Sequence, residues 1–296
     1  MVKEVKASII GSGVVGQATG MGLALNGNEV LFYDIDQKKL RDLEEKGYEI
    51  TDNLTEAVTE SDILFVAVPT PTVDKKIVLD NVQDCTKGIG KVLAETWKYV
   101  DVVYRSTIPP GTTRSKLIPC LENNSGLKAG KDFGVCMNPE FLREKTPLED
   151  FLHPSRIVIG EYDERSGNAL TGVYSQFRGP IIRTTLDCAE MIKYTSNLFL
   201  ASKISFFNEI YTVCEKLKID SNIVGQAVAL DPRIGAYGSV GGRPFGGMCL
   251  PKDLSAFLEF ADSMGLDLKL LKAVGEVNEE MNQLQAERQI IEKKRR

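Results

Sequence analysis

The sequence predicts an α/β fold, a doubly wound parallel sheet followed by a mainly α-helical domain. Three observations carry this expectation. From Lys3 to about Gly160, short β-branched runs alternate with longer amphipathic stretches, the pattern of parallel strands joined by crossover helices. A glycine cluster, Gly11-Ser12-Gly13-Val14-Val15-Gly16, stands between the first run and the first helical stretch. After Pro180 the strand pattern gives way to long helical segments, so the expected domains are 1–185 and 186–296.

The predicted strands, in order, are KASIIG from Lys6, EVLFYDID from Glu29, DILFVAVPT from Asp62, DVVYRSTIP from Asp101, FGVCMNP from Phe133, RIVIGE from Arg156 and IIRTT from Ile181. Several are continuously apolar, as strands covered on both faces are. The stretch Ala7–Leu25 is apolar as well, but its five glycines and the polar end at Asn26–Glu29 make it strand, turn and helix rather than a signal or a membrane span. Helices are expected over Cys188–Leu217, Ile223–Leu230 and Asp253 to the end. Between the last two lies a glycine-rich loop, Asp231–Cys249, too irregular for an element and long enough to carry function. The basic tail ERQIIEKKRR reads as a solvated helix end.

Composition narrows the function. Of 296 residues, 36 are Lys or Arg and 41 are Asp or Glu, a net charge of −5, which provides no global field for nucleic acid. The six cysteines include no C-x-x-C pair, so reduced thiols in a cytoplasmic setting are expected and no metal site is. His153, the one histidine, stands between Leu152 and Pro154 as a loop residue, which removes most histidine-based dehydrogenase and hydrolase mechanisms.

The glycine cluster has the context of a dinucleotide fingerprint. Gly11 permits the tight turn, Gly13 lets the N–H groups there and at Val14 and Val15 approach a pyrophosphate, and Gly16 lets helix and strand pack closely. Asp34 ends the second strand, 23 residues after Gly11, where a carboxylate accepts hydrogen bonds from the adenine ribose and repels a 2′-phosphate. The expectation is a Rossmann-type domain binding NAD, with Lys38 or Lys39 softening the discrimination against NADP. Pro69 and Thr70 in VPTPT, and Thr107 in STIP, stand at two further strand ends beside the nicotinamide.

Three clusters carry candidate chemistry. Glu140 and Glu144 in NPEFLRE share a helix face if a turn starts at Pro139, which is also what a solvated helix shows. Lys193 and Asn197 have the same spacing among apolar neighbours, where a lysine either snorkels to water or serves a site. Cys249 follows Gly246-Gly247 and stands at the mouth of the next helix, whose N-terminus favours thiolate, although a cysteine is as often a small buried hydrophobe.

Together GSGVVG, VPTPT, STIPPGT, NPEFLRE, AEMIKYTSNLFLASKISFFNE, DPRIG and PFGGMCLPKD resemble, in order and spacing, the UDP-glucose/GDP-mannose dehydrogenase family over essentially the whole chain. The resemblance implies a four-electron oxidation of a sugar C6 alcohol to an acid with two NAD. By motif, Cys249 is the nucleophile and Lys193 and Asn197 stabilise oxyanions. Asp253 positions or activates a water, and Glu140 is the base for thioester hydrolysis. Thr107 and Glu144 lie near substrate and nicotinamide, and Lys39 near the ribose. Phe141, Leu142, Arg143, Phe245 and Gly246 contact the sugar nucleotide, and Arg233 reaches a partner's substrate across a homodimer. The D-x-R-I-G motif resembles the UDP-glucose branch, the alternatives being GDP-mannose or a non-catalytic NAD-binding module. Met248 departs from the small residue that often precedes the nucleophile, and the family's C-terminal nucleotide-binding domain is absent from this sequence.

Overall fold

The computed structural model describes residues 5–96 and 98–295; Lys3 and Arg296, the outer limits of the first predicted run and of the basic tail, lie outside them. The chain forms two compact units. One comprises the residues up to Pro71 together with Ile77–Lys193, the other Thr72–Lys76 and the chain from Tyr194 onward.

The first unit runs β1 (Lys6–Ile10), α1 (Val14–Leu25), β2 (Glu29–Tyr33), α2 (Gln37–Glu44), β3 (Glu49–Thr51), α3 (Leu54–Thr59) and β4 (Ile63–Val66). A small hairpin follows, β5 (Thr72–Val73) and β6 (Lys76–Ile77), most of which belongs to the second unit. Then come α4 (Asp80–Thr96), β7 (Asp101–Tyr104), a π-helical turn leading into α5 (Ile118–Ser125), β8 (Gly134–Met137), α6 (Pro147–Leu152), β9 (Ile157–Glu161), α7 (Glu164–Val173) and β10 (Ile181–Thr185).

The main sheet has eight strands in the order β10-β9-β8-β7-β4-β1-β2-β3. The six from β3 to β8 are parallel. Adjacent residues alternate between its faces: Ile9, Phe65, Val103 and Cys136 pack in one core, Ile10, Val66, Tyr104 and Met137 in the other. This two-sided burial explains the continuous apolar runs.

One pairing within this doubly wound sheet departs from the expected parallel run. β9 is antiparallel to β8, with Cys136 opposite Glu161, and β10 follows β9 in parallel. The connection from β8 to β9 leaves and re-enters at the same end of the sheet, carrying α6, whose Phe151 presses on Gly22 of α1. An antiparallel return needs no crossover over a sheet face. The apolar composition of RIVIGE records burial and not direction. β3, a three-residue edge strand, also escaped the sequence pattern.

The second unit is helical. α8 (Leu186–Leu217) enters it at Tyr194, followed by α9 (Ser221–Ala229), α10 (Leu250–Ser263) and α11 (Lys269–Arg295). Tyr194, Leu198 and Ala201 of α8 line up at helical spacing against Leu254 and Phe257 of α10 and Val274 of α11. The single helix expected from Asp253 to the end is two. Gly265, at φ +75°, donates to the Asp262 carbonyl while Leu266 donates to that of Ala261, a Schellman stop. The glycine-rich loop between α9 and α10 is pinned by buried amides. Asn208 binds the backbone at Gly242 and Arg243, and Asn278 binds that of Phe245 through both its side-chain atoms. No described helix is long and apolar enough to cross a membrane.

Candidate functional site

The three glycines of the fingerprint have three different physical roles. Gly11 has φ +100°, and a Cβ there would lie 3.0 Å from the backbone at Ala67, so both conformation and space demand glycine. A Cβ on Gly16 would lie 1.9 Å from the Gly11 carbonyl oxygen. Gly13, the N-cap of α1, would place a Cβ in open space, with nothing within 4 Å. The space is therefore left for something other than the chain itself. Val14 is exposed, Val15 half-buried, and the first turn of α1 contains no acidic side chain, so its amides and positive end are available to a phosphate.

Asp34 is buried and accepts hydrogen bonds from the Ser12 N–H at 2.7 Å, the Asp36 N–H at 2.9 Å and Lys39 Nζ at 3.3 Å. A carboxylate has about four lone-pair sites, so capacity remains for a ribose hydroxyl. These features fit a dinucleotide. The loops after β4 and β7 are tied to each other: Thr70 Oγ1 donates to the Thr107 carbonyl at 2.7 Å, and Ser106 Oγ to that of Val68 at 2.6 Å. The Thr70 hydroxyl proton is thus spent on the frame, while Pro69 is exposed and Thr107 half-buried.

Glu140 and Glu144 do not share a helix face. Residues after β8 stay irregular until α6 begins at Pro147, because local backbone donors are taken by side chains: Leu142 N–H by Glu140 Oε2 at 2.7 Å, Arg143 N–H by Asp150 at 2.6 Å. Glu140 is buried and Glu144 exposed in a turn. The Arg143 side chain also binds Asp150.

Lys193 does not snorkel. It is 4% exposed, with Nζ 2.6 Å from Glu140 Oε1 and 2.8 Å from the Glu140 carbonyl oxygen. Phe141 has the Arg156 guanidinium 3.7 Å and Lys193 Nζ 5.7 Å from its ring centre, a cation–π arrangement that bounds the pair. Burial pushes the Glu140 carboxyl up, but the Lys193 charge and hydrogen bond, the Leu142 N–H and the Arg105 charge outweigh it and hold Glu140 below the usual carboxylate range.

In the second unit Asn197 Nδ2 donates to Asp253 Oδ2 at 2.6 Å, and Lys252 Nζ lies 2.6 Å from Asp253 Oδ1. Asp253 is 1% exposed. Cys249 is the exposed N-cap of α10, and its carbonyl accepts from the Asp253 N–H at 2.8 Å. The two residues are therefore one helical turn apart. The Phe245 ring is core, while neighbouring Gly246 is exposed with open space at its Cβ position. Arg233 is highly exposed and folds back on Asp231, Nε 3.0 Å from Oδ1. A cavity of about 430 Å³ opens against Tyr211 and Arg243, and no predicted site residue lines it. Exposed His153 lies 3.4 Å from Glu149.

Sequence reasoning missed Lys252 and a buried polar group in the first unit. Arg105, Asn138 and Tyr174 hydrogen-bond one another, all three buried. The available signal was a lone arginine following the apolar run DVVY. Glu190, also missed, is fully buried and accepts from the N–H groups of Gly111 and Thr113 and from the Thr113 hydroxyl.

Comparison with known proteins agrees with this layout. The NAD-binding domain of the UDP-glucose/GDP-mannose dehydrogenase family matches residues 43–178, and the family's central domain matches 187–280. The GDP-mannose 6-dehydrogenase of Pseudomonas putida is 36% identical over 97% of this chain and 70% of its own length. The UDP-glucose 6-dehydrogenase TuaD of Bacillus subtilis is 37% identical over 93% of this chain and 63% of its own. The chain thus spans about two thirds of the length of these relatives. The solved UDP-glucose dehydrogenase of the archaeon Pyrobaculum islandicum superimposes with a TM-score of 0.88 at 36% identity, covering 94% of this chain and 69% of that one. NAD is the cofactor of the matched domain family. With both domain models matched in order and relatives aligned along nearly its whole length, the protein belongs to the UDP-glucose/GDP-mannose dehydrogenase family.

Proposed function

We propose that this chain takes part in the NAD-dependent oxidation of the C6 alcohol of UDP-glucose to UDP-glucuronic acid through a thioester on Cys249. The observation that carries the reading is Cys249 at the N-cap of α10, one turn before a buried Asp253 bonded to Asn197. Two NAD, bound in turn, would supply the hydride acceptors for the two oxidations. Once the alcohol has become an aldehyde, the Cys249 thiolate adds to its carbon and an alkoxide forms. Lys193 has three N–H donors and Glu140 takes two of them, which leaves one for the oxyanion role that its motif implies. Asn197 likewise spends one amide N–H on Asp253 and retains one.

After the second oxidation the intermediate is a thioester. Water attacks its carbonyl, a proton passes to Glu140, the C–S bond breaks, and the thiolate electrons return to Cys249. Asp253 orients the water and Thr107, with exposed Glu144, contacts the sugar or the nicotinamide. Phe141, Leu142, Arg143 and Gly246 contact the sugar nucleotide, and Phe245, its ring in the core, holds the loop that carries Gly246. The exposed Phe199, Phe206 and Val213 of α8, at seven-residue spacing, supply a face for a homodimer, with Arg233 serving the partner's substrate. The second reading, GDP-mannose as substrate, rests on relatives of both names at equal similarity; the motif Asp231–Gly235 favours UDP-glucose.

The test is mass spectrometry of acid product and acyl-enzyme after incubation with NAD and either sugar nucleotide, with a family C-terminal domain added because the chain spans only part of its relatives. Acid from UDP-glucose, abolished by Cys249→Ala with NAD binding retained, is expected. Undiminished acid from Cys249→Ala would leave a hydrated-aldehyde route run by Asp253 and Lys193.

A further inference from the structure

Arg105 follows directly on β7 and is 4% exposed. A buried guanidinium normally ends on a carboxylate, yet among the described residues none pairs with it, and its Nε has no hydrogen-bond partner. Its partners are neutral: Asn138 Oδ1, and the Tyr174 hydroxyl at 3.1 Å, which itself donates to Asn138 Oδ1 at 2.6 Å. The Phe151 ring lies beside it, centre 5.6 Å from the guanidinium carbon. Asn138 in turn donates from Nδ2 to the Val158 carbonyl and from its backbone N–H to that of Tyr104, both at 2.8 Å. Its side chain is therefore locked on every polar atom, two residues before Glu140.

We propose that Arg105 is a positioning residue for Glu140. Through Asn138 it fixes the bend by which the chain leaves β8, the bend that presents both the carboxylate and the carbonyl of Glu140 to Lys193. A cation without a carboxylate of its own also leaves a net positive charge behind that bend, and Glu140 is the anion that responds to it. The charged groups placed on Glu140 and the adjoining Phe141 are Lys193 from α8, Arg105 from the end of β7 and Arg156 from the start of β9, all cations. Tyr174 of the α7 end is the titratable neighbour of Arg105 itself. The inference deepens the assignment of Glu140 as the hydrolytic base and rests on it for its catalytic meaning, but its test needs no turnover.

The experiment is carbon-13 NMR of the protein labelled at the glutamate carboxyl carbon, the Glu140 signal being assigned with Glu140→Gln. Arg105→Gln should raise the Glu140 titration midpoint by about one pH unit, while Arg105→Lys, which keeps the cation, restores most of the shift. A merely structural arginine would lower the melting temperature and leave the midpoint where it was. That result, in a variant that still binds NAD, overturns the proposal. Should Arg105→Gln fail to fold, Tyr174→Phe keeps the cation and removes one arm of the lock. Exchange of the Leu142 amide, which bonds Glu140, should then quicken by about ten-fold, and an unchanged rate overturns the proposal equally.

Discussion

Asn197 and Asp253, 56 residues apart in sequence, are joined by a 2.6 Å hydrogen bond inside the helical unit, and the second carboxylate oxygen is held 2.6 Å from Lys252. The bond settles the orientation of the Asn197 amide, with its NH₂ toward Asp253. Asp253→Ala removes the acceptor for a buried amide and for an ammonium whose side chain is 25% exposed. A loss of about 2–3 kcal/mol in urea unfolding is expected, and an unchanged midpoint would contradict the pairing.

The surroundings of Asp34 set the nucleotide preference. NAD should bind at least about ten-fold more tightly than NADP, or about 1.4 kcal/mol. In Asp34→Ala the repulsive carboxylate goes and Lys39, otherwise 3.3 Å from it, becomes available to a 2′-phosphate. Calorimetry should show the preference shrinking from both sides, NAD weaker and NADP tighter. Equal affinities in the wild type would contradict the assignment.

Gly13 and Gly16 separate binding from folding. Gly16→Ala drives a Cβ into the Gly11 carbonyl and should cost about 2 kcal/mol or more of stability. Gly13→Ala, whose φ of −76° suits alanine and whose Cβ meets nothing, should melt like the wild type while NAD binding falls by about ten-fold or more. Equal melting of the two variants would count against the packing argument.

Asp101 makes stability fall as pH rises. Burial, with Asp163 and Asp62 adding to it against Arg165 and the nearby Tyr99 hydroxyl, raises its carboxyl from 3.8 to about 6. Between those two values the folded state holds the proton that the unfolded chain has lost, so Asp101 weakens the fold increasingly up to pH 6 and fully above it. Asp101→Asn should therefore be more stable than the wild type at pH 8, by about 2–3 kcal/mol. The gain should fade toward pH 4. Chemical denaturation at pH 8 and pH 5 measures it, and a pH-independent difference would refute this cause.

Local rules made much of the protein legible. The glycine fingerprint, Asp34 at its strand end, the apolar runs of the six parallel strands and the helical spacing of Lys193 and Asn197 are short-range consequences of backbone sterics and side-chain periodicity, which a sequence displays directly. Cys249 could be placed at a helix mouth for the same reason, since Pro251 at the second position of α10 announces the start. Other features depend on which distant residues meet. β9 runs antiparallel because its connection stays at one end of the sheet, a fact that burial patterns do not encode. Glu140 left the expected helix because Lys193, 53 residues away, offered its buried carboxylate a cation, and local amides preferred side-chain acceptors. The environment of Lys193, the Asn197–Asp253 bond and the buried Arg105 were settled only by tertiary packing, since a charged side chain deep in a protein is tolerable only where the fold brings polar partners to it.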